Sequence, residues 1–164
     1  MFYKKSFYIA IIILWICLIF SFSLQSGEES SNLSSGFGAW LIEHVLSIFS
    51  VDTMSTEQLD TFHFLIRKCA HFTEFFILGV LMYLSTREWL VARRVLVSMI
   101  LCMLVAAMDE SIQLFVDGRS GQWTDVLLDS CGAWVGIMII CMFLRGRLEY
   151  FQNVNVAKKV HIKI

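Results

Sequence analysis

Apolar residues fall into four long blocks along the chain, separated by polar punctuation. Phe7 to Leu24 carries no charge. Cys69 to Ser85 is interrupted by His71 and Glu74. Val95 to Val116 contains Asp109 and Glu110. Trp123 to Leu144 has Asp125 and Asp129 near its start. A membrane-spanning helix needs about 20 mostly apolar residues, so each block predicts one span. The expected fold is an all-α membrane protein, a four-helix transmembrane bundle forming a single domain over residues 1–164. Between spans one and two, Phe37, Trp40, Leu41, Val45, Ile48 and Phe49 recur at helical spacing. Glu43, Ser47 and Ser50 fall opposite, which predicts an outer amphipathic helix. Three placements are open to it: on the membrane surface, folded down as a lid, or packed against the outer ends of the spans. Ser55 and Gln58 have capping-box spacing, which lets span two begin well before Cys69.

Composition agrees with a membrane protein: 57% of the 164 residues are hydrophobic and 16% charged, few charges for a soluble domain. The five cysteines all lie in apolar segments without metal-site spacing and read as small hydrophobes. Lys4 and Lys5 before the first block also fit a signal peptide. The length of the block, and the lack of a clear A-x-A-like site, favour a retained span. No proline is present, so no proline kink is expected. Gly132 and Gly136 form a G-x-x-x-G, a weak signal for close helix packing within or between chains.

Charge distribution sets the orientation. Lys and Arg gather on the cytoplasmic side. Lys4 and Lys5 precede span one, and Arg87, Arg93 and Arg94 lie between spans two and three. Arg145, Arg147, Lys158, Lys159 and Lys163 follow span four, making ten of the thirteen basic residues. Both termini are therefore expected in the cytoplasm, with residues 145–164 a basic tail. The polar interruptions of spans two, three and four then share the outer end. Glu74 lies roughly 8 Å and Asp109 roughly 10 Å inside their span ends, at 1.5 Å per residue.

An ionisable group inside a span is by default a candidate functional site. Arg67, His71, Glu74 and Leu78 share a helix face. His71 and Glu74 suit an acid/base pair, two metal ligands, or an interhelical hydrogen bond that only fixes packing. Asp109 and Gln113 lie together at i, i+4, with Glu110 about 100° away. Asp117-Gly118 reads as the turn between spans three and four. Arg119 then stands outside, against the positive-inside bias, to bind an anion or to pair with Asp117 or Asp125. Asp125 favours a helix first turn. Asp129 is deeper and must be protonated, paired with Arg or Lys, or bound to a cation. Lys68 sits where its head can snorkel to phosphates or headgroups. Phosphate loops, dinucleotide fingerprints, H-E-x-x-H and G-x-S-x-G are all missing. Nucleic-acid binding has no support. No cofactor is expected, with a divalent metal left as an alternative.

Four stretches together resemble the VanZ-like family of small bacterial membrane proteins. They are FSFSLQS after span one, RKCAHFTEFFILG in span two, DESIQLFVDGR ending span three, and D-V-L-L-D-x-x-G opening span four. The resemblance extends from about Trp15 to Gly136. It implies that Ser23, Gln25, Lys68, His71, Glu74, Asp109, Glu110, Gln113, Gly118, Arg119, Asp125 and Gly132 occupy the family's motif positions. The family usually has Asn where this chain has Asp129. Its namesake is associated with resistance to the lipoglycopeptide teicoplanin, and most members have no assigned activity.

Two functions are carried forward. The first is a non-enzymatic cell-envelope protein whose outer pocket binds an amphiphilic or lipid-linked cell-wall ligand and modulates teicoplanin-type susceptibility. Its ligand-binding candidates are Ser23, Gln25, Arg67, Lys68, Glu110, Gln113, Arg119 and Asp129. The second is a membrane enzyme using His71, Glu74, Asp109 and Asp125 on a lipid-linked substrate. A transporter fits least, because the cytoplasmic half lacks a matching polar row.

Overall fold

The computed structural model describes residues 2–44, 55–87 and 89–161. These form five helices: α1 (Phe2–Ser23), α2 (Gly27–His44), α3 (Thr56–Ser85), α4 (Val91–Gln113) and α5 (Trp123–His161). No strand occurs among the described residues, so the all-α expectation holds. Three stretches are long and apolar enough to cross a membrane: Ser6–Ser23, Val91–Gln113 and Trp123–Arg147. Their apolar side chains face outward in numbers no water-soluble surface carries; Leu14, Leu96 and Met142 are each exposed by 60% or more. Helix α3 is long but is not in this apolar class, because the polar row from Arg67 to Glu74 interrupts it.

Helix α3 packs against all four other helices. It starts at Thr56, and the capping box is formed: Ser55 Oγ accepts from the Gln58 amide, and Gln58 Oε1 accepts from the Ser55 amide at 2.9 Å. The polar row and the apolar Cys69–Ser85 segment therefore lie on one continuous helix.

Helices α3 and α5 meet backbone to backbone. A Cβ on Gly132 would stand 2.5 Å from the Phe72 carbonyl oxygen, and one on Gly136 would stand 2.3 Å from that of Phe76. From the other side, a Cβ on Gly79 would reach the Ala133 carbonyl at 2.4 Å. The G-x-x-x-G thus packs within the chain, against α3. Around this seam lies a core of Ile12, Ile19, Phe75, Leu78, Met82, Cys102, Val105, Ala106 and Ala133. The Trp15 indole ties α1 to α3 by donating to the Glu74 carbonyl at 3.0 Å.

Several boundaries differ from those expected. Helix α2 begins at Gly27, inside the Ser- and Glu-rich stretch. Ser26 and Glu29 cap each other: the Ser26 amide donates to Glu29 Oε2 at 2.9 Å, and the Glu29 amide donates to Ser26 Oγ at 3.2 Å. These bonds hold the Glu29 carboxyl below its ordinary range. Val45, Ser47, Ile48, Phe49 and Ser50 of the expected amphipathic helix lie outside the described residues. Helix α4 starts earlier and stops three residues sooner than the expected span. Helix α5 continues past Leu144 to His161, with no proline to stop it. Arg94, counted with the loop, is buried in the first turn of α4. It donates to the Tyr83 carbonyl at 3.0 Å and covers that ring at 3.9 Å.

Replacing Gly136 with Leu forces the α3–α5 seam apart. Overpacking of this kind costs about 1–3 kcal/mol. Thermal unfolding of the detergent-purified protein should register the loss, whereas Gly146→Leu, with open space around it, should not.

Candidate functional site

The α3 row opens on a pocket of about 770 Å³ between α1, α2 and α3. Its walls are apolar, with Trp15, Leu18 and Phe22 from α1, Leu33, Phe37 and Leu41 from α2, and Leu65, Ile66 and Ile77 from α3. Gln25, Arg67, His71, Glu74 and Arg119 also line it. The expected helical face is present: Arg67, His71 and Glu74 reach the pocket, while Leu78 turns into the core. His71 Nδ1 and Glu74 Oε2 are 3.9 Å apart, too far for a hydrogen bond. Helix α2 packs against α3 and supplies one wall of the pocket.

Arg119 fastens the turn between α4 and α5 to the end of α1. Gly118 has φ of +72°, which glycine adopts without strain. The Gly27 amide donates to the Asp117 carbonyl at 3.0 Å. Arg119 then donates to the carbonyls of Phe22 (3.0 Å) and Gln25 (3.2 Å) and to Gln113 Oε1 (3.3 Å). A guanidinium at a helix C-terminus satisfies orphan carbonyls and favours the dipole. The expected partners Asp117 and Asp125 are not used. Three of the five N–H donors are engaged, leaving two. Burial, and next the positive charge of Arg67, push the Arg119 pKa down.

Lys68 and Asp125 form an ion pair across α3 and α5, with side chains 24% and 15% exposed. Lys68 is therefore committed within the fold, and Asp125 does more than cap α5. Glu110 Oε2 accepts from the Gln122 amide at 2.8 Å, fixing the approach to α5. Gln113 donates to Asp109 Oδ2 at 3.2 Å and to Ser23 Oγ at 3.3 Å. The first bond is the contact the i, i+4 spacing suggested, and the second joins α4 to α1.

Deeper, α3, α4 and α5 converge. His71, Asp109 and Asp129 each bring one ligand-type atom within 4.8 Å of the others. Asp109 and Asp129 are fully buried. Asp109 Oδ1, both Asp129 oxygens and His71 Nδ1 have no hydrogen-bond partner. The expected residues therefore divide into four neighbouring groups. Ser23, Glu110 and Gln113 link α1, α4 and the start of α5. Gln25, Arg67, His71, Glu74 and Arg119 face the pocket, Lys68 and Asp125 pair beside it, and Asp109 and Asp129 stand behind His71. The early start of α2, which adds Leu33 to the wall, and the Trp15 indole escaped sequence reading. Ser26-x-x-Glu29 was the available signal for the first of these.

Three apolar helices around a buried polar centre define an all-α integral membrane protein. The chain belongs to the VanZ/LLP1 family, whose model matches residues 7–144. That range takes in every site residue described above. Neither a curated protein nor a solved structure matches the chain.

Removing Lys68 alone, as Lys68→Met, strands the Asp125 carboxylate. Leaving a half-buried ionised group without its partner costs about 1–3 kcal/mol. The double variant K68M/D125N should recover most of that loss in the same unfolding measurement.

Proposed function

We propose that the protein is a cell-envelope membrane protein that holds an amphiphile with an anionic head in the α1–α2–α3 pocket. The observation that carries this reading is the pocket itself, with apolar walls from three helices and two guanidiniums, Arg67 and Arg119, among its lining residues. An acyl or isoprenoid chain matches the walls. A phosphate or carboxylate suits a pocket lined by two guanidiniums and takes up the free donors of Arg119. Lys68 is left out of this role because Asp125 holds it. Through its family, the phenotype to measure is susceptibility to teicoplanin-type glycopeptides.

In this reading α3 crosses as the fourth span. Its 30 residues reach about 45 Å, more than the roughly 30 Å hydrocarbon core, and its neighbours shield its polar row from lipid. Both termini then lie in the cytoplasm with the basic clusters, and the pocket faces the outer leaflet. Reporter fusions after residues 25, 87, 119 and 164 should alternate: outside, inside, outside, inside. A cytoplasmic signal at residue 119 would exclude this topology.

A second reading, a membrane enzyme acting on a lipid-linked substrate, draws on one observation. His71 and Glu74 both line the pocket, within 3.9 Å of each other. Turnover that vanishes in both His71→Gln and Glu74→Gln would favour it.

The binding reading is tested by mass spectrometry of lipids retained by the purified full-length chain. Wild type should keep an anionic amphiphile, and Arg67→Gln should lower its occupancy by about tenfold, the equivalent of about 1.4 kcal/mol. Equal retention by both proteins, or no enriched lipid in wild type, would sink it.

A further inference from the structure

Behind the pocket lies a cluster whose chemistry the amphiphile reading leaves unused. We propose that His71, Asp109 and Asp129 bind one divalent transition-metal cation, of the Zn²⁺ or Mn²⁺ type. The three residues come from three helices, and their ligand-type atoms lie within 4.8 Å of one another. Bonds of about 2.0–2.1 Å to a tetrahedral ion place ligand atoms roughly 3.3 Å apart. Small side-chain rotations close that difference.

The second observation is what the carboxylates lack. Asp129 is fully buried, and neither oxygen has a hydrogen-bond partner. Asp109 is equally buried, with Oδ1 unpartnered. Buried carboxylates are normally paired or coordinate a metal. None of the neighbouring cationic side chains donates to Asp129, and Arg67 lines the pocket. Lys68 pairs with Asp125, Arg119 holds Gln113 and the α1 carbonyls, and Arg94 packs on Tyr83 near the opposite end of α3. Two carboxylates balance a divalent ion in charge, and an imidazole with carboxylates suits zinc or manganese. Gln113, donating to Asp109 Oδ2, is the kind of outer hydrogen bond that orients a ligating carboxylate. Through His71, which also lines the pocket, the ion would stand beside the amphiphile's polar end.

The test uses the full-length chain in detergent, stripped with EDTA and dialysed against ZnCl₂ or MnCl₂ in separate arms. Elemental analysis should find one ion per chain in at least one arm, and that ion should raise the thermal unfolding temperature. Loss of an outer-shell partner typically costs 10–100-fold in metal affinity. Loss of a ligand, as Asp129→Asn or Asp109→Asn, should therefore weaken titrated binding by about 100-fold or more. Metal-free Asp129→Asn should unfold no earlier than metal-free wild type, because the amide matches the shape of the neutral carboxyl that an unpaired buried Asp adopts; this separates loss of the site from loss of the fold. Wild type without a stoichiometric ion in either arm overturns the proposal, as does unchanged affinity in the two variants. The titration is run without added amphiphile, so its failure leaves the pocket reading standing, and failure of lipid retention leaves the ion site standing.

Discussion

The near-contact of the α3 and α5 backbones governs the rest of the molecule. Gly79, Gly132 and Gly136 remove the side chains that would hold these helices apart. Without a hydrophobic drive between helices in lipid, such close packing is a main source of association. The same approach brings Lys68 within reach of Asp125 and sets His71 against Asp129. Short polar side chains can meet only if the axes are this near.

Polar groups in this bundle are arranged by depth and by partner. Around the α4–α5 turn, Arg119, Gln113, Ser23 and Glu110 bond one another or backbone groups, and they join α1, α4 and the start of α5. Beside them, Lys68 and Asp125 neutralise each other. Deepest are Asp109 and Asp129, the carboxylates least served by the protein's own donors. Unmet polar demand thus concentrates behind His71, the residue that also opens onto the apolar pocket.

Much of this was legible in the sequence, for physical reasons that can be named. Long apolar runs with few charges mark helices that lipid can surround, so α1, α4 and α5 stood out. Ser55 and Gln58 announced the start of α3, and Asp117-Gly118 the turn. The face shared by Arg67, His71 and Glu74 followed from helical periodicity alone. Pairings between helices did not, because periodicity says nothing of which faces meet. Lys68 could have served a ligand, yet Asp125 claims it; Arg119 could have paired with Asp117 or Asp125, yet it seals the end of α1. The apolar walls of the pocket were hidden for the same reason, since they come from three helices whose apolar residues look alike in sequence.

The clasp made by Arg119 also orders events during synthesis. Its guanidinium holds the Phe22 carbonyl, 97 residues earlier in the chain, so α1 emerges and enters the membrane long before its latch exists. Until α4 and the following turn have arrived, the end of α1 has no such tether and the pocket lacks one of its cations. The site is therefore a late product of assembly, and a chain stalled before residue 119 would present the membrane with helices but not with the site.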